Sequence, residues 1–303
     1  MAVRVNELIE HFKLEVLVEG DPENEVDIID FNRPGLQLAG FYNYFANDRI
    51  QVIGRAEWSF LDDMHPDIRK KRIKKYMEFH TPCIILTRGL EAQEEIIRYA
   101  KENKRWILRT DMITTRFINK LSNFLDDALA PETRVHGVLV DIYGIGILIT
   151  GESGIGKSET ALELIKRGHR IVADDAVDIK QIDGILKGTS PKITFGMLEV
   201  RGMGIIDITA LYGLSSVLHS KTIKMVIHLE HWRDNGAYDR LGIDKEYTEI
   251  LGVKVRRMRI PIRPGRNVAV IIEAAAANYR YSTMSQITPA EIIDQRIGEM
   301  GGF

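Results

Sequence analysis

Eight consecutive residues, Gly151-Glu152-Ser153-Gly154-Ile155-Gly156-Lys157-Ser158, satisfy the pattern G-x-x-x-x-G-K-[ST], a spacing that builds a cradle for phosphate. Glycines at these positions let successive backbone N–H groups turn inward as an anion nest, and a helix N-terminus behind them adds a favourable dipole. Lys157 is placed to bring a full positive charge to the β- and γ-phosphates of a nucleotide, and the Ser158 hydroxyl to ligate Mg²⁺. The chemistry that follows is phosphoryl transfer from ATP. The loop leaves the acceptor open.

Acidic groups near the loop bear on the acceptor. The segment Arg170-Ile171-Val172-Ala173-Asp174-Asp175 reads as a short apolar strand ending in two carboxylates, directly after the helix that follows the loop. Such a strand can run back to the phosphates. Adjacent side chains on a strand point to opposite faces, so one carboxylate can address a metal and the other a substrate hydroxyl. His136 precedes a strand entering the same region, and histidine is suited to relaying a proton near neutrality. Glu199 lies in Leu198-Glu199-Val200-Arg201-Gly202-Met203-Gly204, a composition that suits close approach to phosphate or metal. Arg240 and the loop Pro261-Ile262-Arg263-Pro264-Gly265-Arg266 supply cations on Pro/Gly turns, useful where negative charge spreads over phosphoryl oxygens.

Elements must hold these groups in place. The strand ILIT precedes the loop and the helix SETALELIKRG follows it, closing at Gly168. Upstream, VHGVLVDIYG and IGILITG read as two apolar strands punctuated by Gly144. Farther on, Lys224 to Leu229 reads as a buried strand, Asn267 to Tyr279 as a helix, and Thr288-Pro289-Ala290-Glu291 as a capping box opening a last amphipathic helix. The first 130 residues alternate differently: CIILT at 83–87, an amphipathic stretch from Glu91 to Asn103, WILRT at 106–110, then Thr114 to Leu129 at helical spacing. That is α/β order without a catalytic signature. A boundary at Ala130-Pro131 divides the chain into an amino-terminal α/β domain, 1–130, and a catalytic domain, 131–303.

Composition narrows the partners. With 303 residues, 45% apolar, 28% charged and a formal net charge of -2, the chain has no global field to hold nucleic acid or an anionic membrane. The run Arg69-Lys70-Lys71-Arg72-Ile73-Lys74-Lys75 lacks interleaved aromatics and reads as a solvated helix face. The one cysteine, Cys83, sits in an apolar run and reads as a small buried hydrophobe. No window approaches about 18 uninterrupted apolar residues, and the N-terminus lacks a signal-peptide core, which together predict a cytoplasmic protein.

The segments GESGIGKSETALELIKRGHRIVADD, LEVRGMGIIDI, YDRLG and PIRPGRN, with the amino-terminal QLAGFYNYFANDRIQVIGRAEWSF, resemble the bacterial HPr kinase/phosphorylase family along the whole chain. The resemblance implies an α/β protein of two domains, the carboxy-terminal one a P-loop kinase domain similar to phosphoenolpyruvate carboxykinase. It implies a bifunctional enzyme that phosphorylates a serine of the phosphocarrier protein HPr with ATP or pyrophosphate and removes that phosphate by phosphorolysis, in the service of carbon catabolite repression. His136, Lys157, Asp175 and Arg240 would be the catalytic residues, Gly151 through Ser158 the ATP site, and Ser158 with Glu199 the Mg²⁺ ligands. Asp175 would take the serine proton. The segment Glu199 to Ile208 would serve both activities, and Pro261 to Arg266 chiefly dephosphorylation. A homohexamer and fructose 1,6-bisphosphate as effector are further implications. The residues by themselves leave two other readings open: a small-molecule or carboxykinase-like enzyme, and a nucleotide-gated binding protein without turnover.

Overall fold

The structure, a computed structural model, describes residues 2–232, 246–263, 265–285 and 296–297. It divides into two compact units, Met1–Ala130 and Pro131–Phe303. Among the described residues no helix is long and apolar enough to cross a membrane.

The amino-terminal unit is a five-stranded sheet in the spatial order Glu15–Val18, Ile107–Arg109, Ile84–Leu86, Ile50–Ile53, Phe31–Asn32. Its first pair is antiparallel and the rest are parallel. Strands buried on both faces read as continuous apolar runs, and the pleat splits them. Val52, Ile85 and Leu108 enter one core with the helices Val5–Phe12 and Thr114–Ala128. Ile53, Ile84, Leu86 and Ile107 enter another with Arg55–Asp62, Pro66–Met77 and Glu94–Glu102. The strand and helix segments expected from periodicity are thus present, trimmed by one to three residues at their ends. Cys83 is fully buried, and burial pushes its thiol up to about 12. The basic run lies on the helix Pro66–Met77, whose Ile73, Tyr76 and Met77 point inward while Lys70, Lys71, Lys74 and Lys75 are exposed.

In the carboxy-terminal unit, Val138–Ile142 and Ile145–Gly151 form a hairpin through the two-residue turn Tyr143-Gly144. Arg170–Ala173 joins the outer edge antiparallel to Val138–Ile142. On the inner edge Ile145–Gly151 pairs in parallel with the long strand Ser220–His231, which pairs in parallel with Val253–Ile262. The start of that long strand, Ser220–Thr222, also carries a second ladder made of Ile185–Thr189, Ala176–Ile182 and Glu132–His136. The main sheet is therefore covered on two sides. Val140, Ile147 and Ile149 pack on Ala161, Leu164 and Ile165 of the helix Lys157–Lys166 and on Ile272 and Ala276 of the helix Val268–Ser285. Leu139, Leu148 and Val172 pack on Val177, Ile179 and Leu186 of the second ladder. The two helices are further joined where Glu273 accepts from Arg167 at 3.1 Å and meets buried His169 at 2.9 Å.

This register decides where the chemistry gathers. Val138–Ile142 is antiparallel to both of its neighbours, so Ile145–Gly151 and Arg170–Ala173 run the same way and end at the same rim. The parallel strands ending at His231 and Ile262 finish there too. In open α/β sheets, ligands bind at the carboxyl ends of strands, and here that rim holds the phosphate loop and the Asp174-Asp175 pair. The predicted Asn267–Tyr279 helix is present as Val268–Ser285, with Asn267 just before its first turn, its side chain accepting from the Val270 N–H at 3.2 Å. The capping box at Thr288–Glu291 lies outside the described residues.

Leu164 is fully buried in the core that fixes the loop's helix to the sheet. Leu164→Ala is expected to lower the unfolding free energy by about 2–5 kcal/mol, read as a lower urea midpoint at unchanged slope.

Candidate active site

The loop is a strand-to-helix connection whose backbone calls for glycine at two points, at Gly151 for want of space and at Gly154 for its positive φ. A Cβ on Gly151 would sit 2.6 Å from the Leu229 carbonyl of the neighbouring strand, and one on Gly154 would sit 2.5 Å from the Arg201 guanidinium, with φ at +84°. Gly156, at φ +99°, immediately precedes the helix Lys157–Lys166. Lys157 is 7% exposed, and its Nζ donates to the carbonyls of Gly151 and Glu152 at 3.0 Å each. The ammonium is thereby held against the loop, and the helix N-terminus opens onto the same space.

The two aspartates separate. Asp174 is 5% exposed, and its carboxylate accepts from the Ser158 hydroxyl and from the Glu199 N–H, both at 2.9 Å. Burial raises its pKa from the ordinary aspartate value, opposed by hydrogen bonds from the Glu199 N–H, the Ser158 hydroxyl and the Asp175 N–H. Asp175 turns the other way: its Oδ1 lies 3.0 Å from His136 Nδ1, with side chains 67% and 52% exposed. Strand pleating does not produce this split, because the strand ends at Ala173. Asp175 instead sits at φ +64°, at the apex of a tight turn in which the Ala176 N–H donates to the Asp174 carbonyl at 2.8 Å. Aspartate tolerates such left-handed backbone better than most residues. The chain beyond the turn pairs at once with His136 through Ala176, and the Gly137 N–H donates to the Asp175 carbonyl at 3.0 Å.

Glu199 occupies the hairpin Met197–Val200 and Gly204–Asp207. Its backbone grips Asp174 while its side chain is exposed at the mouth of the site. Arg201, in the turn of that hairpin, lays its guanidinium over Gly154. His136, Lys157, Ser158, Asp174, Asp175, Glu199 and Arg201 all line one pocket of about 110 Å³. That is well below the roughly 300–1,000 Å³ of sites that enclose a drug-sized molecule, so the pocket can surround phosphate groups but not a whole nucleotide. Behind the loop, the Thr150 hydroxyl bonds His228 Nδ1 at 3.0 Å, and burial lowers the His228 pKa. On the neighbouring strand end, the Arg263 guanidinium stacks 3.2 Å from the centre of the Trp232 ring, and Arg266 donates to the Pro261 carbonyl at 3.0 Å. Arg240 lies outside the described residues.

The arrangement provides a cationic cradle, a buried carboxylate bonded to a hydroxyl, and an exposed carboxylate paired with an imidazole. Arg201 is an addition to the residues singled out from sequence, and Asp174, there one of an undivided pair of acids, is the member that turns inward. The Arg201-Gly202-Met203-Gly204 turn was the available signal for Arg201. For Asp174 the sequence offered a pair of acids without saying which one turns inward. The donor set is one of oxygens, the Ser158 hydroxyl with the Asp174 and Glu199 carboxylates lining the same pocket, which is the kind of ligand that Mg²⁺ takes.

A raised carboxylate pKa in the folded state means that the native protein binds this proton more tightly than the unfolded chain. The stability cost of Asp174 therefore opens as pH rises from the ordinary aspartate value through the raised one, and it is complete above that. In cation-free buffer, the stability of wild type relative to Asp174→Ala is expected to decline across this window. A pH-independent difference between their urea unfolding curves would contradict the assignment.

Residues 3–125 match the model described as HPr Serine kinase N terminus, and residues 127–297 match that of the HPr Serine kinase C-terminal domain. The chain is 67% identical over 299 residues to the HPr kinase/phosphorylase of Clostridium perfringens strain SM101, covering 99% of this chain and 97% of that one. It is also 67% identical over 300 residues to the HPr kinase/phosphorylase of Clostridium kluyveri, with the same coverage. A solved structure of the Hpr(Ser) kinase/phosphatase from Coxiella burnetii superposes with a TM-score of 0.49 at 36% identity, over 51% of this chain and 94% of that chain. Both halves of the chain, matched in order and over nearly their full length, belong to the HPr serine kinase family.

Proposed function

We propose that this protein is a serine kinase and phosphoserine phosphorylase acting on HPr, using ATP or pyrophosphate in one direction and inorganic phosphate in the other. One observation carries the reading: the exposed Asp175–His136 pair stands beside a phosphate loop whose own carboxylate, Asp174, is buried against Ser158. An acceptor as bulky as a protein can bring a serine hydroxyl to Asp175 from solvent. The names of the relatives support the same substrate and both directions.

In this reading Gly151 through Ser158 hold the nucleotide phosphates, with Lys157 supplying charge to the β- and γ-groups. Ser158 and Glu199, with Asp174 completing the anionic lining, would hold Mg²⁺, which would supply positive charge against the phosphates. Asp175 accepts the serine proton as the hydroxyl oxygen bonds to the γ-phosphorus and the bond to the β–γ bridging oxygen breaks. His136 orients the Asp175 carboxylate through the 3.0 Å contact. In reverse, Asp175 takes the proton of the attacking inorganic phosphate, whose oxygen bonds to the phosphoserine phosphorus as the bond to the serine oxygen breaks, and passes that proton to the departing serine, leaving pyrophosphate in the same cradle. Arg240 and Arg201 add positive charge, and the 261–266 loop, tied by Arg266 to the Pro261 carbonyl, serves mainly the reverse reaction. Cytoplasmic location, assembly of six copies and a response to fructose 1,6-bisphosphate complete the proposal.

The test is phosphate transfer from labelled ATP to purified HPr, followed by release of pyrophosphate from phosphoserine-HPr and phosphate. Asp175→Asn is expected to reduce both rates by about 10²–10⁴-fold, and Lys157→Ala by about 10²–10³-fold, with folding intact. No labelled HPr despite bound ATP would sink the proposal and return the small-molecule reading.

Arg266→Ala is expected to slow phosphorolysis more than phosphorylation. Equal losses in the two assays would remove the loop's assigned preference.

A further inference from the structure

The strand beside the phosphate loop turns polar at its end. Along Ser220–His231, Met225, Ile227 and Leu229 enter the core under the loop's helix, while Val226 enters the core on the opposite face. Pleating sends every second residue to one face, so His228 and Glu230 follow Val226 where the strand reaches the loop's rim. The register against Ile145–Gly151 slips once, leaving Lys224 as a β-bulge between the pairings of Gly146 and Ile147, and is unbroken from Ile147 with Met225 to Gly151 with Leu229. That run of pairs sets Thr150, the last residue before the loop, opposite His228.

Thr150 stands at a branch point of the site. Its hydroxyl meets His228 Nδ1 at 3.0 Å, and its other partner, the Ile227 carbonyl at 3.5 Å, is too distant to hold it alone. Its methyl is near Gly137, where an added Cβ would lie 3.5 Å from Thr150 Cγ2 and 2.6 Å from the Ile149 carbonyl. The Gly137 N–H in turn donates to the Asp175 carbonyl at 3.0 Å. In the other direction Thr150 leads straight into Gly151 and Glu152, whose carbonyls accept from Lys157 Nζ. A threonine chooses among three staggered χ1 states, and with the methyl toward Gly137 the hydroxyl points to the neighbouring strand, where His228 receives it. His228 is flanked by Glu230 on its own strand, by Arg257 and Arg259 on Val253–Ile262 and by Glu152 on the loop; burial first, and then the two arginines, favour the neutral ring. A neutral imidazole accepts from the hydroxyl or donates to it without setting a second positive charge near Lys157.

We infer that His228 is a positioning residue for both halves of the site: through its bond to Thr150 it fixes the backbone that anchors Lys157 and the contact with the glycine that supports Asp175. His228 does not itself line the phosphate pocket. Its effect on the chemistry rests on the phosphoryl transfer proposed above, and its effect on phosphate binding does not.

The experiment is a double-mutant cycle in the full chain. Thr150→Val removes the hydroxyl at nearly constant shape, and His228→Ala removes the ring. Each is expected to lower kcat for phosphate transfer to HPr, and to weaken ATP binding measured calorimetrically in magnesium buffer, by about three- to tenfold, the worth of one hydrogen bond, with KM for HPr unchanged. The double variant should lose no more than either single one, because both remove the same bond. His228→Asn, whose amide can return a hydrogen-bonding atom near the Nδ1 position, should recover most of the loss. Additive losses in the double variant, or a His228→Ala defect that asparagine leaves in place, overturn the inference, since either describes a ring that matters only for packing. So does wild-type behaviour of Thr150→Val, a variant that keeps the test decisive even where His228→Ala does not fold. If wild type transfers no phosphate to HPr, the proposed function fails, while the ATP titrations of the same variants still decide the role of His228.

Discussion

A single buried carboxylate ties the site together. Asp174 receives a hydroxyl from the helix after the loop, an N–H from the hairpin at 197–207, and an N–H from its own successor in the chain. Each of these segments is fixed elsewhere by apolar packing, and Asp174 sets them relative to one another at the pocket. A buried charge is costly unless it is hydrogen-bonded or paired, and the raised pKa shows that three donors do not offset the cost in full. The remainder is a demand for positive charge, which in the proposed mechanism a phosphate-bound cation meets and which the empty protein carries at some expense to its stability.

The framework beneath has to be stiff enough to carry that demand. Alternation along Val138–Ile142 and Ile145–Gly151 sends successive residues into opposite cores, so the strand that ends in the loop is gripped by helices on one side and by a second ladder on the other. Asp141 is the exception within this apolar pair. Its side chain is buried and is neutralised by Arg170 on the neighbouring strand and Lys221 on the long one. These ion pairs bind the outer edge strand, which delivers Asp174 and Asp175, to the centre of the sheet. Misplacement of that edge would carry both carboxylates away from the loop.

Much of this was legible in the residues. The loop, its flanking strand and helix, the apolar strand that begins at Arg170 and the α/β order of the first 130 residues follow from local spacing and periodicity, which are short-range properties, whereas the composition around Glu199 suggests a loop and the structure has a hairpin there. What escaped was set by long-range or backbone geometry. The division between Asp174 and Asp175 depends on a turn with positive φ at residue 175, and an Asp-Asp pair does not announce which member will occupy it. Arg201 covering Gly154 joins segments 47 positions apart in sequence. The double pairing of Ser220–His231 was invisible for a similar reason: its apolar run predicts a buried strand, but the Lys224 bulge appears only when Gly146 is laid against it.

The two carboxylates illustrate how neighbouring groups of one chemical type are given different work by environment alone. Asp174 is enclosed, multiply hydrogen-bonded and costly to ionise, which suits a group whose charge is to be met by a cation. Asp175 is exposed beside His136 on a backbone bend that aims it away from its neighbour. Its carboxylate is free to approach a hydroxyl arriving from solvent, which suits a group proposed to take and return a proton. The bend is the economical solution, because one left-handed residue achieves a separation that pleating could provide only if the strand continued past Ala173. Continuation would draw Asp175 into the ladder and lose its access to a protein substrate. The strained turn and the reversible chemistry proposed for this site therefore rest on the same short break between two strands.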